Sequence, residues 1–203
     1  MTKFYDPLSM IKKSRFINLF NHYDEKMRQN VLIKIDDLIK ESSYKDEKNY
    51  GHLCNIFSSM AFYYVLQKNG KTKEESLDIV KNAMYKFIVP QKIKMQKISS
   101  IPGFIKLMKW SFPLKIKRNN GAGWDIVYPE CNKDEYAFNV RKCIYAQIFS
   151  LYHVKELGPV FCHVDDILYG NLPKISFEYT QTICRGGSVC DYIFRKKIWK
   201  LEG

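Results

Sequence analysis

The 203-residue sequence lacks any apolar run long enough to cross a membrane. A membrane-spanning helix needs about 18 or more consecutive apolar residues, and no stretch approaches that length. The N-terminal segment MTKFYDPLSMIKKSRF also lacks the uninterrupted apolar stretch of a signal peptide. Both absences favour a cytoplasmic protein that has no membrane partner.

The cysteines lack a metal-binding pattern. They are Cys54, Cys131, Cys143, Cys162, Cys184 and Cys190. No C-x-x-C pair occurs, and the gaps between the last four match no common zinc signature. Cysteines in a cytoplasmic protein are expected to be free thiols. We therefore predict that the protein has no metal site, and we expect no cofactor.

Acidic residues are few relative to basic ones, with 21 Asp and Glu against 33 Lys and Arg and a net charge of +12. No zinc finger, helix-turn-helix or RNP signature accompanies the basic residues. They mix with apolar residues in three runs, Lys92-Ile93-Lys94, Lys115-Ile116-Lys117-Arg118 and Arg195-Lys196-Lys197. The pattern favours a solvated, lysine-rich surface and no nucleic-acid partner. The alternatives are an anionic partner or a positive field that attracts an anionic small substrate.

The first 110 residues have helical periodicity. Apolar residues recur at helical spacing from Met27 to Leu38, and they nearly encircle the segment from Tyr50 to Lys68. Thr72 and Glu75 form a capping box that begins another helix, and Pro90 is expected to interrupt it. This part of the chain is therefore predicted to be mainly helical.

The pattern changes near Asn119-Asn120-Gly121, after a looser segment predicted around Trp110. Alternation of apolar and polar residues predicts four strands, at 124–128, 135–140, about 174–184 and 189–197. A helical pattern from Arg141 lies between the second and third strands. The order predicts an α+β fold, with N-terminal helices packed on a C-terminal antiparallel sheet that has an inserted helix. We expect one domain over 1–203, mainly helical over 1–118 and containing the sheet over 119–203.

Gly186-Gly187 lies between the last two predicted strands and is expected to form a two-residue hairpin turn. That register places Thr182 opposite Asp191, and it places Cys190 on the other face among aromatic residues. A one-residue shift would exchange the faces. We therefore predict that Cys190 is packed in the core. Asp191 is expected to lie beside a binding site or to support one, with Thr182 or a backbone amide as its partner.

Reactive side chains cluster in the segment FCHVDD, residues 161–166. Thiols, imidazoles and carboxylates supply nucleophiles and acid–base groups. Cys162 and Asp165 share a face of a helix at this spacing. A carboxylate raises the pKa of a nearby thiol, so Asp165 is expected to orient His163 or a water molecule. A cation or a helix N-terminus would be needed to stabilise the thiolate of Cys162.

The segment from Gly123 to Phe194 resembles the L-2-amino-thiazoline-4-carboxylic acid hydrolase family. The matching elements are Gly123-Trp124, Phe138-Asn139-Val140 leading to Cys143, Phe161-Cys162 with Asp165, Phe177 with Thr180 and Thr182, Gly186-Gly187, and Cys190-Asp191 with Phe194. The same segment looks distantly like four-vinyl-reductase-type domains, which bind ligands and do not hydrolyse them.

The first resemblance implies a hydrolase that opens a small cyclic amidine or thioimidate, such as a 2-aminothiazoline carboxylate. Water would add at the ring carbon between nitrogen and sulfur, through cysteine attack or through carboxylate-activated water. The candidate catalytic residues are Cys162, Asp165 and His163. The candidates for binding a carboxylate-bearing small-molecule substrate are Asp191, Thr182, Arg185 and Asn139. The second resemblance implies the alternative, a non-catalytic small-molecule-binding or sensory domain.

Overall fold

The computed structural model describes residues 5–117 and 121–197. The predicted change of pattern at Asn119-Asn120 and the last residue of the second basic run, Arg118, lie outside these residues. The chain divides into two compact units. The first comprises residues 1–87 and 145–160, and the second comprises residues 88–144 and 161–203. The single-domain organisation stays a prediction.

Helices form the N-terminal part of the chain. They are α1 Pro7–Lys13, α2 Ile17–His22, α3 Glu25–Glu41, α4 Tyr50–Lys68, α5 Lys73–Ser99 and α6 Phe104–Lys117. The predicted capping box begins α5, because the Glu75 amide donates to Thr72 Oγ1 and the Thr72 amide donates to Glu75 Oε2. Most of α4 is buried, as its apolar circumference predicts. No helix in the described residues has both the length and the apolar character that a membrane span requires.

Two prolines lie inside helices. Pro90 lies within α5, and Pro113 lies within α6. The predictions that Pro90 interrupts its helix and that the segment around Trp110 is loose are therefore wrong. Ile98 beyond Pro90 and Phe112 beside Pro113 pack against the core of the second unit. Burial of an apolar face thus offsets the backbone hydrogen bond that each proline removes.

The sheet is antiparallel, which confirms the predicted α+β fold. Its strands are β1 Asp125–Val127, β2 Glu135–Lys142, β3 Ile175–Glu178 and β4 Cys190–Lys196, in the order β1-β2-β4-β3. The inserted segment forms two helices, α7 Ile144–Leu151 and α8 Gly158–Tyr169. The core of the second unit joins α6 to the sheet through Phe104, Ile105, Met108, Tyr136, Leu172, Ile175 and Phe194. Burying each large apolar side chain contributes about 1.5–3 kcal/mol.

The connection between β3 and β4 differs from the predicted hairpin. β3 ends at Glu178, which pairs with Ile193, and residues 179–189 form a loop that contains a 3-10 turn at Ile183–Arg185. The predicted strand to Cys184, the two-residue turn and the pairing of Thr182 with Asp191 are therefore wrong. The pairing is offset by two residues from the predicted one, so each side chain of β4 keeps its predicted face.

Candidate functional site

The candidate site lies in the second unit, where α8 meets the loop of residues 179–189. The Cys162 thiol, on α8, is hydrogen-bonded to the thiol of Cys184 in the loop. Cys184 is also hydrogen-bonded to Cys143, which follows β2. Cys190 contributes a fourth sulfur close to this group. The structure thus brings together four cysteines that sequence reasoning treated separately.

The Cys162 thiol has the lowest pKa of the group, about 7 instead of an ordinary value of 9. The hydrogen bond with Cys184 is the largest cause. Burial opposes the shift, whereas Thr182 and the positive charge of Arg185 support it and the negative charge of Asp166 opposes it. Arg185 thus supplies the cation that was expected to stabilise the thiolate of Cys162. The surroundings of Cys162 therefore favour its thiolate form.

The other cysteines of the group remain thiols. Hydrogen bonds with Cys143 and Cys162 raise the pKa of Cys184, and burial adds to that rise. Burial raises the pKa of Cys190 to about 12. Cys184 is therefore a protonated donor beside the Cys162 thiolate. Cys190 is packed on β4, as predicted, and it accepts a hydrogen bond from the Ile183 amide at 3.3 Å.

The Thr182 hydroxyl is a buried polar group beside Cys162. The residue is 1% exposed, and no hydrogen bond of ordinary geometry to its Oγ1 is present in the described residues. The hydroxyl is nevertheless close enough to lower the pKa of the Cys162 thiol. A buried hydroxyl without a partner costs free energy, which a charged acceptor can recover. Thr182 is therefore placed to donate to a thiolate or to a bound molecule.

A charged network centred on Asp166 borders the thiol group. Asp166 accepts hydrogen bonds from Arg185 Nη2 at 2.7 Å and from the Tyr179 hydroxyl at 2.7 Å. His163 Nδ1 lies 2.9 Å from Asp166 Oδ2, and Arg185 also donates to the Tyr179 hydroxyl. Burial alone would raise the pKa of Asp166, but these hydrogen bonds lower it. Asp166 therefore stays ionised and holds Arg185 near the thiol.

The candidate site residues predicted from the sequence did not include Asp166 or Tyr179. The spacing of His163 and Asp166, three residues apart on a helix, was a signal that could have identified the first contact. The contact with Tyr179 depends on the loop, which the sequence did not predict.

Asp191 supports the loop that carries Thr182 and Cys184. Its Oδ1 accepts from the backbone amides of Thr180 and Gln181, each at 2.9 Å, and its Oδ2 accepts from the Thr180 hydroxyl. Burial would raise the pKa of Asp191, but these hydrogen bonds lower it. The expected backbone amides are thus its partners, together with Thr180, whereas Thr182 is not. A substrate contact by Asp191 stays a prediction.

The shape of the loop of residues 179–189 also depends on the close approach of Gly187 to the opposite side of the loop. The Gly187 amide donates to the Thr182 carbonyl at 3.0 Å, and Gly186 adopts φ +92° at the end of the 3-10 turn. A Cβ at Gly187 would lie 2.8 Å from Gln181 Cβ and 3.0 Å from the Thr182 oxygen. The Gly-Gly pair therefore serves a tight loop rather than a hairpin turn.

The remaining predicted site residues occupy different positions. Asp165 accepts from the Tyr192 hydroxyl at 3.4 Å and follows Cys162 by three residues on α8. His163 is exposed and contacts Asp166. Asn139 lies on β2 directly opposite Asp191, on the face of the sheet away from Cys190. The structure therefore groups Cys162, Thr182 and Arg185 closely, with Asp165 on the same helical face as Cys162.

The donor set does not form a metal centre. Within residues 5–117 and 121–197, no group of three or more His, Cys, Asp or Glu side chains is arranged to hold a metal ion. The arrangement offers an ionised thiol, a thiol donor, a hydroxyl donor and a fixed cation. These groups suit attack by sulfur on an electrophilic carbon.

Comparison with known proteins supports a hydrolase assignment. A family model described as L-2-amino-thiazoline-4-carboxylic acid hydrolase matches residues 53–194. The match includes α8, the loop of residues 179–189 and most of β4. The curated proteins give no match, and the solved structures give none.

Proposed function

Because the chain belongs to the L-2-amino-thiazoline-4-carboxylic acid hydrolase family, we propose that it opens a small cyclic amidine with Cys162 as the nucleophile. A 2-aminothiazoline-4-carboxylate is the first candidate substrate. The observation that carries the proposal is the position of Cys162 beside Cys184, Thr182 and Arg185, each of which lowers the pKa of its thiol. An ionised thiol at neutral pH is the form that attacks carbon.

In the first proposed step, the Cys162 thiolate attacks the ring carbon between nitrogen and sulfur. A bond forms between Sγ and this carbon, and the C=N electron pair moves to nitrogen. The bond between the carbon and the ring sulfur then breaks, and the sulfur leaves as a thiolate. The substrate remains joined to Cys162 as an isothiouronium, and no fragment is lost.

In the second step, water adds to the same carbon. Asp165 is the proposed general base, because it shares the helical face of Cys162. The bond to Cys162 then breaks, the thiolate is restored and the carbon becomes the carbonyl of an N-carbamoyl amino acid. One water molecule is consumed, and its two protons end on the released sulfur and the former ring nitrogen.

Arg185 has two proposed roles. Its charge stabilises the Cys162 thiolate, and its contacts with Asp166 and Tyr179 use two of its five N–H groups. Further donors therefore remain for the carboxylate of a substrate. Cys184 and Thr182 donate to the sulfur each time it carries charge. His163 orients Asp166, and contacts of Asn139 and Asp191 with the substrate remain proposals.

Turnover of 2-aminothiazoline-4-carboxylate tests the proposal. Ring opening releases one thiol for each molecule consumed, which a thiol reagent measures after the protein is removed, and mass spectrometry identifies the carbamoyl product. The Cys162→Ala variant should lose turnover. Cys131→Ala is the matched control, because Cys131 lies in the connection between β1 and β2, and its variant should retain full turnover.

A panel of rings defines the substrate class. It contains the aminothiazoline without its carboxylate, the corresponding oxazoline and a simple lactam. The proposal predicts faster opening of carboxylate-bearing amidines than of the lactam. Tight binding of several rings without any opening would contradict it and would favour a non-catalytic ligand-binding domain. Full turnover by Cys162→Ala would contradict the assignment of the nucleophile.

A further inference from the structure

The segment between Asp78 and Asp125 concentrates the positive charge of the chain. Residues 88–117, which lie in the second unit, contain seven lysines and no Asp or Glu. Lys94, Lys97 and Lys106 are exposed, and none forms an ion pair with a carboxylate in the described part of the chain. Positive charge on this part of the second unit is therefore left uncompensated by ion pairs.

Apolar side chains are exposed among these lysines. On α6, Leu107, Trp110 and Leu114 lie at i, i+3 and i+7, so they form one stripe. Their exposed fractions are 46%, 70% and 57%. The opposite face of α6 is buried in the core of the second unit through Phe104, Ile105 and Met108. The helix thus has a second apolar stripe, which the fold of the unit does not use.

The end of α5 has the same character. Val89 and Ile93 are about half exposed, whereas Met95 and Ile98 pack against the core. A contiguous stripe of exposed apolar side chains is unusual on a surface that contacts only water. Such stripes commonly mark a binding surface. The expectation of a merely solvated, lysine-rich surface therefore does not explain the stripe.

The positive charge and the apolar side chains of this face together indicate which kind of partner binds it. A second copy presenting the same face would bring lysines against lysines. Nucleic acid would neutralise the lysines, but it would leave the aliphatic side chains against phosphate and sugar. An anionic lipid surface satisfies both features: its headgroups neutralise the lysines, and its acyl boundary takes up leucine and tryptophan. Tryptophan in particular favours the membrane–water interface.

We propose that the outer face of α6, formed by Lys106, Leu107, Trp110 and Leu114, docks on the surface of an anionic phospholipid membrane, with Lys97 near the end of α5 adding positive charge. The helix lies parallel to the bilayer and does not cross it, in keeping with the lack of a spanning helix among those described. This inference revises the expectation of a protein without a membrane partner. It does not depend on the proposed hydrolysis.

Sedimentation with vesicles tests the proposal. The full-length protein is mixed with vesicles of phosphatidylcholine alone, or with vesicles that contain about a third phosphatidylglycerol. Binding to the anionic vesicles should be at least tenfold tighter, and it should weaken as salt approaches about 0.5 M. Tryptophan emission should shift to shorter wavelength on binding, and the shift should be lost in Trp110→Phe.

Two double variants separate the apolar and the charged contributions. Leu107→Ser with Trp110→Ser, and Lys97→Glu with Lys106→Glu, should each weaken binding at least tenfold. The matched controls are Ile33→Ser and Lys26→Glu on α3, which are exposed in the first unit and should bind normally. All four positions of the test variants are exposed, so folding should persist, and thermal unfolding checks it.

Three results would overturn the proposal. The first is that the protein binds neutral and anionic vesicles equally, or that all variants bind the anionic vesicles as tightly as the wild type. The second is tight binding of RNA or DNA that the same variants abolish, which would assign the face to nucleic acid. The third is self-association of the protein that Leu107→Ser with Trp110→Ser abolishes, which would assign it to a second copy.

Discussion

Replacing Cys184 by alanine should raise the pKa of Cys162. The hydrogen bond between these residues is the largest cause that lowers this pKa from 9 to about 7. At a pKa of 7, about half of Cys162 is ionised at pH 7, whereas at 9 the fraction is about 1%. A complete return to the ordinary value therefore corresponds to about 50-fold slower reaction of the thiol at pH 7.

The rate of alkylation by iodoacetamide, followed at Cys162 by peptide mass spectrometry, measures this pKa across the pH range. Cys184→Ser supplies a hydroxyl donor at the same position, so its pKa should stay close to that of the wild type. Cys131→Ala is a control outside the site and should leave the profile unchanged. An unchanged pKa in Cys184→Ala, or a wild-type pKa near 9, would refute the reasoning.

Three further predictions concern activity and stability. The kcat/KM for ring opening should fall about tenfold between pH 8 and pH 6, because protonation of Cys162 through its pKa of about 7 removes the reactive thiolate. An acid limb near pH 9 would contradict this. Asp166→Asn should lower kcat/KM about tenfold, because Arg185 loses the carboxylate that holds it beside Cys162 and the substrate. Wild-type kcat/KM in this variant would contradict the role of Asp166 in positioning Arg185. Gly187→Ala should lower the free energy of unfolding by about 1–3 kcal/mol, because its Cβ would press on Gln181 and the Thr182 carbonyl. In urea unfolding, Gly51→Ala is the control, since its Cβ has open space on α4 and should stabilise by about 0.5–1 kcal/mol.

Local signals account for the parts of the fold that the sequence predicted. The capping box at Thr72 and Glu75 and the apolar circumference of α4 are properties of neighbouring residues. Alternation along β2 and β4 likewise predicted the antiparallel sheet. The predictions of an interruption at Pro90 and of a loose segment next to Pro113 were wrong because both helices are stabilised by packing on residues distant in sequence.

The loop between β3 and β4 shows why the site was only partly predictable. Gly186-Gly187 has the composition of a hairpin turn, but the hydrogen bonds from Thr180 and Gln181 to Asp191 favour a longer loop. That loop carries Cys184 and Arg185 to Cys162. Reactive residue types near Cys162 were visible in the sequence. Their contacts depend on tertiary structure, which a one-dimensional pattern does not encode.

The central claim is that Cys162 forms a covalent bond with its substrate. The protein is quenched in acid during turnover of 2-aminothiazoline-4-carboxylate, digested and analysed by mass spectrometry. The account predicts that the peptide containing Cys162 gains the mass of the whole substrate, since ring opening expels no fragment, and that Cys162→Ala shows neither the adduct nor turnover. Turnover by Cys162→Ala as fast as by the wild type, with no adduct on the wild-type peptide, would contradict it.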